Sequence, residues 1–148
     1  MNGLHPQGAF RFENMRLYLG LVHFPVYNKN ARRIASAITT VDLHDLGRLA
    51  RTYGAKQVFV ITPLEDQREL AERVREHWLT GYGAGYNRHR KEAFELIRIV
   101  PTYEDARDTI AQTEGEVPLL IATEASPHEG RKSVSYHSAR RILQERAV

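Results

Sequence analysis

Ala37-Ile38-Thr39-Thr40-Val41-Asp42-Leu43-His44-Asp45-Leu46-Gly47-Arg48-Leu49-Ala50-Arg51-Thr52-Tyr53-Gly54, followed by Val58-Phe59-Val60-Ile61-Thr62-Pro63, decides the fold class of this chain. Thr39-x-x-Asp42 has the form of a capping box, and Gly54 stands where a left-handed C-cap is wanted. Between them, at about 100° per residue, Leu43, Leu46, Leu49, Ala50 and Tyr53 fall on one side. His44, Arg48 and Arg51 gather on the other side, as an anion-binding stripe or as a solvated face. The apolar run that follows has the length and β-branched content of a strand buried on both faces.

The same alternation extends outward. Residues 17–24 read as a first strand closed by Pro25. Residues 26–36 form a polar loop containing Tyr27, Asn28, Lys29, Asn30, Arg32 and Arg33. The helix at 40–53 and the strand at 57–62 come next, and Pro63 opens a long helix at 64–79. In that helix acidic residues lie near the start and basic ones near the end, complementing the helix dipole. Gly81-Tyr82-Gly83-Ala84-Gly85-Tyr86 breaks the periodicity and reads as a loop. Residues 91–100 start polar and end in a strand at 94–100. Thr102 caps a short helix at 102–113, residues 118–122 read as another buried strand, and 135–146 as a last helix. The expected fold is α/β, a parallel sheet flanked by helices. Residues 1–14 read as a flexible leader and 15–148 as one domain.

Composition narrows the function classes. A length of 148 residues and 42% hydrophobic content suit one domain with a sizeable core. No apolar run is long enough to span a membrane, and residues 1–14 lack the apolar stretch of a signal peptide. The absence of cysteine excludes disulfides, thiolate metal sites and a cysteine nucleophile, and fits a cytoplasmic chain. The net charge of +3 permits a nucleic-acid partner without demanding one.

The chemistry-bearing patterns are few. Gly81–Gly85 has neither a Walker loop nor a dinucleotide fingerprint around it. With Tyr82, Tyr86, Asn87, Arg88, His89, Arg90 and Lys91 alongside, it offers aromatic faces for unpaired bases and cations for phosphates. Alternatively, the tyrosines anchor a loop on the domain. The seven histidines are dispersed without the spacing of a metal site, and no serine has a hydrolase elbow around it. His23, at the end of the first strand, sits where α/β folds bind ligands, outside the carboxyl ends of the strands. Thr123-Glu124-Ala125 follows another strand end at the same edge.

At these residues a family resemblance emerges. The segment with Arg48 six residues before Gly54 resembles the first motif of the SPOUT class of RNA methyltransferases. Leu19-Gly20-Leu21-Val22-His23-Phe24-Pro25-Val26-Tyr27-Asn28-Lys29, His77-Trp78, Gly81–Asn87 and Arg90-Lys91-Glu92-Ala93 resemble one bacterial branch. That branch is the SAM-dependent RNA methyltransferase family sometimes found joined to the tRNA (guanine-N1)-methyltransferase. The likeness runs from about residue 15 to residue 148. Family members continue into a buried strand, a glycine-rich loop and a final helix that make the trefoil knot and most of the cofactor pocket. Neither the Gly-Thr-Gly-Trp-Gly-Leu loop nor the Asn-His-Leu-Ser-Val-Arg segment that marks those pieces occurs in this sequence. The resemblance therefore implies a SPOUT-like domain lacking the C-terminal knot segment, either a truncated member or one whose remainder lies on another polypeptide.

The resemblance implies methyl transfer from S-adenosyl-L-methionine (SAM) to tRNA or rRNA by a homodimer without a metal. Arg48 would orient an RNA phosphate or ribose, and Asp42 or His44 would accept or relay a proton. His23, Tyr27, Asn28, Arg51, Tyr82, Tyr86, Asn87 and Arg88 would contact RNA. Thr123 and Ala125 would border SAM, with Glu124 standing where the family has a small residue. The competing classes are a catalytically inactive RNA-binding or assembly domain and an ordinary α/β nucleotide-binding domain.

Overall fold

The computed structural model describes residues 15–123 and 130–148. The expectations for residues 1–14, Glu124 and Ala125 lie outside the described residues. Three parallel strands form the sheet: β1 (Tyr18–Val22), β4 (Gln57–Ile61) and β5 (Ile97–Val100), in the order β1-β4-β5. Between β1 and β4 the chain makes a small antiparallel hairpin, β2 (Val26–Tyr27) with β3 (Arg33–Ile34), and then helix α1 (Thr40–Tyr53). Helices α2 (Glu65–Leu79), α3 (Tyr82–Tyr86) and α4 (Arg88–Glu95) separate β4 from β5. Helices α5 (Tyr103–Glu114) and α6 (Tyr136–Glu145) follow. The expected parallel sheet flanked by helices is the fold observed.

β4 shows why its sequence is apolar at every position after the first. Val58 and Val60 pack into one cluster with Leu43, Ala50, Phe94 and Ile97. Phe59 and Ile61 pack into a second with Val100, Ala106 and Ile110 on the opposite face. Alternate side chains of a strand point to opposite faces, so a strand covered on both sides loses its polar residues. Truncating a side chain as buried as Phe94 costs about 3–5 kcal/mol.

α1 begins as its sequence dictates. Thr39 Oγ1 accepts from the Asp42 N–H at 3.2 Å, and Asp42 Oδ2 accepts from the Thr39 N–H at 3.0 Å, completing the capping box. Gly54 closes the helix in the left-handed region at φ 68°. Thr102 and Ser135 cap α5 and α6 through their side chains in the same way. The buried stripe of α1, however, runs through Leu43, Gly47 and Ala50, while Leu49 and Tyr53 are 47% and 50% exposed. The helix packs against α4 as well as the sheet, and the Ala93 carbonyl comes so close that a Cβ at Gly47 would lie 3.1 Å from its oxygen.

Three sequence expectations give way. Residues 82–86 are the short helix α3 rather than a loop, because Gly83 lets the backbone rest on Trp78, where a Cβ would fall 2.6 Å from a ring carbon. Residues 88–95 are helix α4, capped by Asn87 Oδ1 accepting from the Arg90 N–H, and the strand begins only at Ile97. Residues 118–122 are not a strand. The Leu119 N–H donates to the Ala147 carbonyl, but Leu120 is 64% exposed and the run lies outside the sheet. Its apolar composition has no covering layer among the described residues. Ala147 and Val148 lie between this run and β1, where the Val148 N–H donates to Arg16 and its carbonyl accepts from Tyr18.

At the amino edge of the sheet, Glu114 accepts from the Tyr18 hydroxyl and from Lys56 Nζ, while Arg16 reaches both Glu114 and Glu116. The Lys56 and Tyr18 hydrogen bonds hold the Glu114 carboxyl below its usual pKa. Burial, reinforced by Glu114, raises that of Tyr18. This network ties β1 to α5 at the amino end of the sheet.

Candidate nucleic-acid and cofactor site

β1 ends at Val22, and the next residue, His23, is only 5% exposed. The His23 N–H donates to Ile61 of β4, so the residue stands at the carboxyl edge of the sheet. Its Nδ1 lies 2.8 Å from Ser36 Oγ, and the Ser36 N–H donates back to the His23 carbonyl. Nε2 is buried without a partner among the described residues. Burial lowers the His23 pKa against the opposing charge of Asp42, which keeps the ring neutral at pH 7. A neutral ring has one bare nitrogen able to accept a hydrogen bond or a proton.

Asp42 stands at the first turn of α1, with Oδ2 committed to the Thr39 N–H and hydroxyl. His44, two residues on, does not join Arg48 and Arg51 on a cationic face. Its ring meets Phe94 and Trp78 edge-on, with centroids 4.9 Å and 5.4 Å away, and Nδ1 is buried without a partner. Burial and then the nearby Arg90 charge lower its pKa. Arg90 itself lies over the Trp78 ring, 4.6 Å from the centroid.

The cations singled out in the sequence are unequally available. Arg48 is 66% exposed with Asp45 at 3.8 Å, a loose pair that leaves its fork open. Arg51 and Arg88 both bind Glu92, at 3.0 and 3.1 Å. Those hydrogen bonds, Arg51 first, depress the Glu92 pKa. Asn87 spends its side-chain oxygen capping α4. Asn28 spends its own on the N–H groups of Asn30 and Arg32, shaping the tip of the β2–β3 hairpin.

Tyr82 and Tyr86, 84% and 78% exposed, stack on each other with centroids 6.4 Å apart and planes at 18°. Exposed aromatic faces of this kind suit base stacking. Tyr27 is exposed on the hairpin, some way along the sequence from that pair. The structure thus groups the named residues in three places: His23, Tyr27 and Asn28 at the hairpin, Asp42 and Arg48 on α1, and Tyr82–Arg88 on α3 and α4.

Residues not singled out for the site also matter. Ser36 orients His23, Trp78 and Arg90 enclose His44, and Lys29, Arg32 and Arg33 charge the hairpin. The last three carried a readable signal, since no Asp or Glu occurs between residues 15 and 41.

A cleft between β1, β4 and α5 is lined by Tyr18, Gly20, Phe59, Tyr103, Ile110 and Leu119, among others. Its apolar walls suit a flat purine ring. For the charged half of SAM it offers only Arg107, which is already held by Asp108 at 2.8 Å. The cleft therefore fits the adenine and not the methionine part. Thr123 is exposed, at the end of the segment that lines the cleft. Among the described residues no three His, Asp or Glu side chains gather around one point as a metal would require. Nor is any described helix long and apolar enough to cross a membrane.

Residues 16–148 match the family described as SAM-dependent RNA methyltransferase. The chain is 40% identical over 132 residues to a tRNA (guanine-N(1)-)-methyltransferase of Oleidesulfovibrio alaskensis, which covers 89% of this chain and 30% of that protein. It is 39% identical over 132 residues to the protein of the same name in Nitratidesulfovibrio vulgaris, with the same coverage. An uncharacterized protein of Aquifex aeolicus is 31% identical over 133 residues, 90% of this chain and 64% of that one. The chain thus spans 30% of the length of each of the two tRNA (guanine-N(1)-)-methyltransferases.

Proposed function

The chain belongs to the SAM-dependent RNA methyltransferase family, and we propose that it transfers a methyl group from SAM to RNA, with tRNA the first substrate to test. The observation that carries this reading is the match of residues 16–148 to that family. SAM, when bound, supplies an electrophilic methyl carbon. The protein's part is to hold the acceptor atom in line with it and to manage charge, the source of most of the rate in a direct transfer.

In this reading the exposed Arg48 fork holds an RNA phosphate or ribose. Asp42 takes up a proton at Oδ1, because Oδ2 is bound by Thr39. His44, neutral at pH 7, serves as the alternative acceptor. His23, Tyr27, Asn28, Arg51, Tyr82, Tyr86, Asn87 and Arg88 make up the RNA-facing surface. Thr123 and Ala125 flank the cofactor, and the apolar cleft beside β1 takes its adenine. A SPOUT-class homodimer working in the cytoplasm completes the proposal. The exposed Val117, Leu120, Val134 and Tyr136 support the dimer as apolar surface that a second copy would cover.

One observation favours a second reading, RNA binding without catalysis: the apolar cleft beside β1 has no charged side chain in its lining that is free to pair with the charged half of SAM. The test is transfer of tritiated methyl from SAM to unmodified tRNA transcript by the full chain. Incorporation that falls at least tenfold in Arg48→Ala supports catalysis. RNA retained on the protein with no label transferred supports the second reading.

A further inference from the structure

The β2–β3 hairpin has cations that the fold does not use. Among the described residues neither Lys29 nor Arg32 has an ion-pair or hydrogen-bond partner for its side chain, and Arg33 makes only a contact with the Phe24 ring, 5.9 Å from its centroid. All three are exposed. By contrast Arg48, Arg51 and Arg88 each face a carboxylate. The nearest carboxylate in sequence after the hairpin, Asp42, is engaged by Thr39.

The hairpin is also built rigidly. Asn28 Oδ1 accepts two backbone N–H groups, the Asn28 N–H donates to the Arg32 carbonyl, and the Ala31 N–H donates to the Asn28 carbonyl. Ala31 holds φ at 55°, the single non-glycine residue with positive φ among those described. A side chain in that region is disfavoured, and such conformations persist where the surroundings impose them. Beneath the hairpin, Ser36 anchors His23, whose Nε2 is buried and unpartnered at the carboxyl edge of the sheet.

We propose that this hairpin is the principal phosphate-binding element of the protein, gripping the RNA backbone through Lys29, Arg32 and Arg33 so that the strand passes over the end of β1 at His23. The inference rests on the reading of RNA as the partner but not on methyl transfer. Free cations on a preorganised loop lose little on meeting a phosphate, whereas Arg51 and Arg88 must first give up Glu92. Each phosphate contact also releases counterions from the nucleic acid, so its contribution is read in the salt dependence.

The experiment is fluorescence anisotropy of the full chain against a labelled tRNA transcript at several KCl concentrations. Lys29→Gln/Arg32→Gln/Arg33→Gln should bind at least tenfold more weakly than wild type. Its slope of log affinity against log salt should be shallower by about 2 to 3, the release expected for three phosphate contacts. Arg51→Gln/Arg88→Gln should lose less on both measures. A circular-dichroism melt that stays within the wild-type transition shows that the triple variant is folded; if it is not, each single substitution is read for a slope change of about 0.7 to 0.9. An unchanged slope in the variants, wild type that does not bind the transcript, or polyglutamate binding as tightly as the transcript would each overturn the proposal. Binding that depends on the hairpin without methyl transfer would leave it standing and remove the catalytic reading instead.

Discussion

Arg51 donates to a single oxygen of Glu92, from Nη2 at 3.0 Å and from Nε at 3.3 Å, and so ties the end of α1 to α4. Arg88 donates to the other oxygen of the same carboxylate at 3.1 Å. One acidic side chain therefore neutralises two of the cations that the sequence offers to RNA. Glu92→Gln should release both guanidinium groups and strengthen binding of a tRNA transcript severalfold at low salt, with a steeper salt dependence. Anisotropy titrations of the two proteins decide it. Affinity that stays the same or falls would mean that neither arginine reaches the nucleic acid.

Gly83 permits α3 to lie on Trp78, since a Cβ there would sit 2.6 and 2.9 Å from two ring carbons and 3.0 Å from His77 Nε2. The indole cannot move freely, because His44, Phe94 and Arg90 pack around it. Gly83→Ala should therefore destabilise the fold by about 1–3 kcal/mol, against a gain in helix propensity of about 1 kcal/mol or less. Thermal denaturation is the measurement. A melting temperature at or above that of the wild type would show that this helix does not rest on the indole.

His44 has a pKa below its ordinary value of 6.5, through burial first and Arg90 second, with Asp45 opposing. In the unfolded chain the ring regains that ordinary value and binds a proton more readily than in the fold. Stability is then greatest above pH 6.5 and declines as the pH falls below it, toward the folded pKa. His23 contributes in the same direction. His44→Phe keeps an aromatic ring against Trp78 and Phe94 and removes one of the two titrations. Its melting temperature should fall less between pH 7 and pH 5 than that of the wild type. Parallel curves for the two proteins would rule out His44 as a source of the acid sensitivity.

Local signals in the sequence translate directly into structure where the partners are close along the chain. The Thr39–Asp42 capping box, the Gly54 stop, the Thr102 cap and the doubly buried β4 are all of this kind. The glycine-rich segment at 81–85 resisted reading because its helix depends on Trp78 as a surface, not on its own propensity. Residues 118–122 have the composition of a core strand, yet composition cannot supply a neighbour. At the site the difficulty was pairing at a distance. Nothing local to Arg51 announces Glu92, 41 residues away. Nor does the helical wheel of α1 show that α4 and Trp78 cover His44. The charge of the hairpin was legible as a stretch without carboxylates, but its rigidity, set by Asn28 and Ala31, was not.

The most direct measurement is mass spectrometry of nucleosides from a tRNA transcript incubated with the full chain and SAM bearing a trideuterated methyl group. The expected result is one nucleoside carrying the labelled methyl, abundant with the wild type and reduced at least tenfold with Arg48→Ala. Absence of any labelled nucleoside, under conditions where anisotropy shows the transcript bound, would contradict methyl transfer and leave the protein as an RNA-binding domain.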